Sequence, residues 1–155
     1  MKVRDIMTQD VVTVRSSTTI AELAKLLVEK DISGVPVVDA AGQIRGIVSE
    51  GDLMRKEIAP LPPDYFCLLG AIIYFHGMQE YQESFRKFSA VTAGEIMTEQ
   101  VVSIKEDEDV SQVAKIMLAR QIKRLPVVDE NDVLVGIVSR RDIVKMMIEK
   151  PNDSE

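Results

Sequence analysis

Two four-residue stretches place a hydroxyl and a carboxylate at the same spacing: Ser49-Glu50-Gly51-Asp52 and Ser139-Arg140-Arg141-Asp142. Each follows a β-rich run, Gly46-Ile47-Val48 and Gly136-Ile137-Val138. The serine therefore falls at a strand's end, and the aspartate lies in the first turn of a following helix. A carboxylate there can accept hydrogen bonds from both hydroxyls of a ribose, and a hydroxyl beside exposed helix N–H groups suits a phosphate. The same pair also makes an ordinary helix cap with no ligand at all. The residues alone leave both readings open. Gly46 and Gly136 allow the backbone to lie close to another surface.

Other chemistry is thinly supplied. Cys67 is the single cysteine and His76 the single histidine, too few for a zinc site or for a nucleophile with its oriented base. Both read as packing residues. There is no phosphate loop of the form G-x-x-x-x-G-K-[ST] and no H-E-x-x-H, so the reading is that the chain is not an enzyme. The run Glu106-Asp107-Glu108-Asp109 lacks the spaced oxygen ligands and the glycine of a calcium loop, and reads as a solvated helix start.

The composition narrows the class. Of 155 residues, 46% are hydrophobic and 28% charged, the balance of a soluble globular chain rather than a disordered one. A net charge of −6 repels phosphate backbones, which argues against general nucleic-acid binding. Met1-Lys2-Val3-Arg4-Asp5 has no apolar signal core behind it, and the longest near-apolar run, Cys67 to Phe75, is far short of the about 20 residues a membrane helix needs. A cytoplasmic protein without membrane or nucleic-acid partners is expected.

The elements that position the Ser-x-x-Asp pairs come from a duplication. A shift of 90 places aligns residues 5–55 with 95–145 without a gap and gives 17 identities in 51 positions. Ile6-Met7-Thr8 falls on Ile96-Met97-Thr98, Pro36-Val37-Val38-Asp39 on Pro126-Val127-Val128-Asp129, and Gly46-Ile47-Val48-Ser49 on Gly136-Ile137-Val138-Ser139. Each copy reads as strand (VVTV, 11–14; VVSI, 101–104), capped helix, strand, turn, strand and helix: β-α-β-β-α, an α+β pattern. Ser16 to Thr19 and Glu106 to Asp109 supply the caps; Ile20, Leu23, Ala24 and Leu27, matched by Val110, Val113, Ala114 and Met117, supply the apolar stripe.

Residues 56–91 have no counterpart in the other copy. All the aromatic residues lie there: Tyr65, Phe66, Tyr74, Phe75, Tyr81, Phe85 and Phe88. Pro60, Pro62 and Pro63 end any helix leaving the first repeat, Asp64 is placed to cap a new one, and the spacing predicts two helical segments interrupted near Gly77. The cluster either covers the repeats' core or forms a partner surface.

Two copies of (D/E)-I-M-T-x-x-V-V, h-P-V-V-D and G-I-V-S-x-x-D, in that order, resemble a tandem pair of CBS domains, a Bateman module, over residues 3–55 and 93–147. The organisation is then repeat 1 at 1–55, a helical insert at 56–91, repeat 2 at 92–150 and a tail at 151–155, with no room for an effector domain. The resemblance implies repeats packed about a pseudo-twofold axis, two clefts and frequent pairing into a homodimer. It also implies an adenosine-containing ligand, AMP, ADP, ATP or S-adenosylmethionine, as regulator rather than required cofactor, and a protein effector still to be identified.

Carried over residue by residue, one cleft uses Ile137, Ser139 and Asp142 with Thr8, Val12, Ile32, Ser33 and Gly34. The opposite cleft uses Ile47, Ser49 and Asp52 with Thr98, Val102, Ile122, Lys123 and Arg124. The Asp142 cleft is the better nucleotide site. Arg140 and Arg141 follow Ser139, and Arg124 stands where such relatives place a phosphate-binding basic residue. Glu50 after Ser49 repels phosphate, and Lys123 and Arg124 crowd the other base side. The alternative reading is an adaptor that docks a partner through the aromatic insert, its clefts vestigial. A homodimer is also expected from the apolar residues of the helices after the two motifs: Leu53, Met54 and Ile58, and Ile143, Val144, Met146, Met147 and Ile148.

Overall fold

The computed structural model describes residues 1–149; the tail at 151–155 lies outside them. Two compact units result, and each draws on both sequence repeats. One holds Val14–Val37 and Gly46–Glu99; the other holds Met1–Thr13, Val38–Arg45 and the chain from Gln100 on.

The Val14–Val37 unit begins with α1 (Ile20–Glu29). Its start is a reciprocal cap: Glu22 N donates to Thr19 Oγ1 at 3.3 Å and Thr19 N to Glu22 Oε2 at 2.8 Å. Leu23 and Leu27 of the predicted stripe are buried. Strand β1 (Gly34–Val38) pairs with β2 (Ile44–Ser49), which runs into the short α2 (Glu50–Met54).

The insert follows. β3 (Asp64–Leu68) and β4 (Ala71–His76) form an antiparallel hairpin, α3 (Met78–Ser89) comes next, and α4 (Ala93–Ile96) leads into the second repeat. The second expected helix is therefore present, but the first is a hairpin. Leu69 and Gly70 both take left-handed backbone, φ 51° and 81°, the geometry of a tight hairpin turn. Ile72, Ile73, Tyr74 and Phe75 are β-branched or aromatic types that favour strands. Asp64 opens a strand rather than capping a helix.

Every hairpin residue is exposed, Phe66, Leu68, Leu69 and Phe75 among them. The aromatics thus form an outer surface and do not cover the core. Cys67 and His76 lie on this hairpin, exposed, and are not packing residues. The unit's core lies elsewhere, with Leu23, Val35, Val37, Val48, Ala93 and Ile96.

The second unit carries β5 (Ile104–Lys105), α5 (Val110–Arg120), β6 (Arg124–Val128), β7 (Leu134–Ser139) and α6 (Arg140–Glu149). β5 runs parallel to β6 and β6 antiparallel to β7. Asp109 caps α5 through Ser111 N at 2.9 Å, so the acidic run is a helix start. Gln121, at φ 55°, ends α5. The core joins Val3, from the first repeat's leading segment, to Ile104, Val113, Met117, Leu125, Val127 and Val138.

The predicted strands at 11–14 and 101–104 shrink to their last residues: Val14 bridges Val37, and Ile104 and Lys105 pair with Val127 and Val128. Upstream the chain is held by Thr8 against Ile137 and by Thr98 against Ile47, so it enters the sheet late. The aspartates of the P-V-V-D motifs fix turns. Asp39 Oδ1 accepts from Ala41 N and Gln43 N, and Asp129 Oδ1 from Asn131 N and Val133 N.

Candidate functional site

Both Ser-x-x-Asp motifs sit where a strand becomes a helix, and both make the same local bonds. Ser139 N and Oγ donate to Asp142 Oδ2, each at 2.7 Å; Ser49 N and Oγ donate to Asp52 Oδ2 at 2.8 and 3.1 Å. In return Asp142 N reaches Ser139 Oγ at 3.4 Å and Asp52 N reaches Ser49 Oγ at 3.3 Å. The cap uses one carboxylate oxygen and leaves Oδ1 for other work.

The two aspartates differ in what meets that second oxygen. Asp142 is half-buried, and among the described residues no cation pairs with it. Asp52 is 5% exposed, and its Oδ1 lies 2.5 Å from Lys87 Nζ, with Arg55 Nη1 at 3.9 Å. Lys87 belongs to α3 and is itself 3% exposed.

Around Asp142 the Met1–Thr13 segment closes on β7. Thr8 and Ile137 exchange both backbone bonds, at 2.9 and 3.0 Å. Arg124 stands opposite Ser139 in the β6–β7 register. The start of α6 is tied back to the segment before β6: Arg140 N donates to Lys123 O at 3.1 Å and Arg140 Nε to Ile122 O at 3.1 Å. Arg141 is exposed on the same turn.

The glycines of the motif admit the crossing segment. A side chain at Gly136 would begin 2.5 Å from the Met7 sulfur, and one at Gly46 would begin 2.5 Å from that of Met97. Around Asp52, Thr98 and Ile47 exchange backbone bonds at 2.9 and 3.0 Å, and Glu50 N donates to Ser33 O at 3.0 Å.

A CBS-domain family model matches residues 3–59 and again residues 93–149. The chain belongs to the CBS-domain family. Protein MJ1426 of Methanocaldococcus jannaschii is 31% identical over 157 residues, covering 96% of this chain and 92% of that protein. Among solved structures, CBSX2 in complex with AMP superposes with a TM-score of 0.80 at 28% identity, over 96% of this chain and 97% of that one. The CBS domain pair of MJ0100, in complex with 5′-methylthioadenosine and S-adenosyl-L-methionine, gives 0.72 at 28% identity, over 97% and 98%.

Of the residues assigned to this CBS pair's preferred cleft, Thr8, Val12, Arg124, Ile137, Ser139, Arg140, Arg141 and Asp142 share the unit with Val3 and α6. Ile32, Ser33 and Gly34 lie in the other unit. Of the second cleft, Ile47, Ser49, Asp52 and Thr98 share the Val14–Val37 unit; Val102, Ile122 and Lys123 lie in the unit with α6.

Sequence reasoning missed Lys87. The apolar stripe Tyr81, Phe85, Phe88 drew attention to one face of α3, as core cover or partner surface, and Phe85 is 51% and Phe88 37% exposed. The helix turns its basic edge inward instead. Arg86 Nη1 donates to Glu95 O at 2.6 Å and Met97 O at 3.3 Å, and Arg86 grips Glu83 through two bonds of 2.7 and 3.1 Å. That grip holds the Glu83 carboxyl below the usual glutamate range and raises the Arg86 guanidinium. The burial of Asp52, which calls for a cation close to its second oxygen, is visible only in three dimensions.

Proposed function

We propose that this CBS pair is a ligand-sensing regulatory module, without catalysis of its own, that binds AMP, ADP, ATP or S-adenosylmethionine at Asp142. The observation that carries this reading is the half-buried Asp142 carboxylate. One oxygen is committed to Ser139, and among the described residues no cation meets the other. It therefore has an oxygen for the two ribose hydroxyls. Arg124, in register with Ser139, and the paired Arg140 and Arg141 supply positive charge for phosphate; Thr8, Val12 and Ile137 supply the wall for the base. The bound ligands of CBSX2 and MJ0100 support the adenosine class.

Signalling follows if two conformations differ in ligand affinity, and the proposed readers of that change are a second copy and a protein effector. Val144, Met147 and Ile148 of α6 are 57%, 65% and 81% exposed, an apolar surface suited to a homodimer.

The fully exposed hairpin at Asp64–His76 favours a second reading, an adaptor that uses this surface and no ligand. Thermal unfolding with each of the four ligands separates the two. A ligand at 100 times its dissociation constant stabilises by about 2.7 kcal/mol. Asp142→Ala removes that shift on the sensing reading; no shift with any ligand favours the adaptor.

A further inference from the structure

From the contacts of α3 we infer that Lys87 is a built-in occupant of the Asp52 half-site, keeping it closed to nucleotide and leaving one adenosine site per chain. This rests on the ligand-sensing reading above and adds its stoichiometry. The Lys87 ammonium sits 2.5 Å from Asp52 Oδ1 and 3.5 Å from Thr98 Oγ1. Both side chains are among those assigned to ligand on that side. With Ser49 on Oδ2, both oxygens of Asp52 are engaged. A ribose would have to displace a cation that is 3% exposed.

Lys87 is also held in place by its helix. On one side Arg86 bonds the carbonyls of Glu95 and Met97. On the other, Lys56 Nζ donates to Phe88 O at 3.0 Å and to Ala90 O. Withdrawing the ammonium means either stripping it of its partner inside the protein or lifting α3 from both clamps. An unpaired buried charge is strongly unfavourable, so the occupant stays. Asp142, by contrast, meets no cation among the described residues. The difference between the two halves of the duplication is thus written in the insert, which has a lysine to offer to only one of them.

Calorimetric titration with AMP, with ATP and S-adenosylmethionine in parallel, tests this on the full chain. The wild type should bind one molecule per chain, Lys87→Ala two, and Lys87→Ala with Asp142→Ala one again. Because Lys87→Ala removes the close cation from a buried carboxylate, leaving Arg55 at 3.9 Å, Lys87→Gln, which still offers Asp52 a donor, serves as the second variant and should show a weaker second site. Acetylation by a water-soluble active ester gives a readout without any variant: Lys87 should stay unmodified, with or without saturating AMP, while exposed lysines react. Two sites in the wild type, a single site in both folded Lys87 variants, or acetylation of Lys87 on adding AMP would each overturn the proposal. A wild type and variants that bind none of the three ligands would instead remove the ligand-sensing reading, and this one with it.

Discussion

The side chain of Met97 fills the space into which a residue at position 46 would project. A Cβ added to Gly46 would lie 2.5 Å from its sulfur, 2.7 Å from its Cγ and 2.9 Å from its Cβ. Met97 is 8% exposed, so it has little room to retreat. The glycine of the G-I-V-S motif is therefore set by packing, because the I-M-T segment crosses the strand at backbone distance.

Gly46→Ala should cost about 1–3 kcal/mol by overpacking. Gly136→Ala should cost less. The Met7 sulfur is as near there, at 2.5 Å, but Met7 is half-buried and freer to move, with its Cγ at 3.0 Å and Thr8 O at 3.2 Å. Urea unfolding midpoints of the two variants check this, and equal or negligible losses would contradict the packing explanation.

The proposed function gives Arg124 a phosphate to hold. Arg124→Ala should weaken AMP, ADP and ATP by roughly ten- to a hundredfold, the worth of about 1.5–3 kcal/mol for a charge-assisted bond, and leave adenosine unchanged. Parallel calorimetric titrations read the split. Loss of adenosine binding as well would assign Arg124 to the base or to folding.

The Glu83–Arg86 pair gives the insert a pH signature. Arg86's hydrogen bonds lower the Glu83 pKa in the folded chain, with the charges of Arg86 and Lys87 acting the same way against a smaller opposing effect of burial. A depressed carboxyl stabilises the fold above its unfolded pKa, and that contribution is lost as pH falls through the folded value. An NMR titration should show Glu83 with a lower midpoint than an unstructured glutamate, and Arg86→Ala should raise it. An unchanged midpoint in Arg86→Ala would show that the pair does not form.

Much of this was legible in the sequence because it is periodic or repeated. The 90-residue offset revealed two units of the same pattern, the Thr19 and Asp109 caps sit where the chemistry put them, and Leu23, Leu27, Val113 and Met117 are buried as their spacing predicts. The insert was less legible. Phe66, Leu69 and Ile73 recur at helical spacing, but the left-handed Leu69-Gly70 turn decides for a hairpin, and a leucine is a poor advertisement for such a turn. Thr8's pairing with Ile137 and Lys87's with Asp52 join residues 129 and 35 positions apart. Local pattern carries no information about either. The resemblance already sets Thr8 with Ile137 and Thr98 with Ile47, and the bridges between them agree with it; the occupied aspartate had to come from the structure.

The central claim is that the Asp142 carboxylate takes the ribose hydroxyls, and AMP against 2′-deoxy-AMP tests it at a single oxygen atom. Calorimetry on the wild type and Asp142→Ala, with Lys87 intact in both, closes a cycle between that hydroxyl and that carboxylate. The wild type should prefer AMP by roughly tenfold or more, the worth of about 1.5 kcal/mol for a hydrogen bond to a charged group, and Asp142→Ala should bind the two alike and weakly. An equal preference for AMP in both proteins would contradict the claim and place the ribose elsewhere.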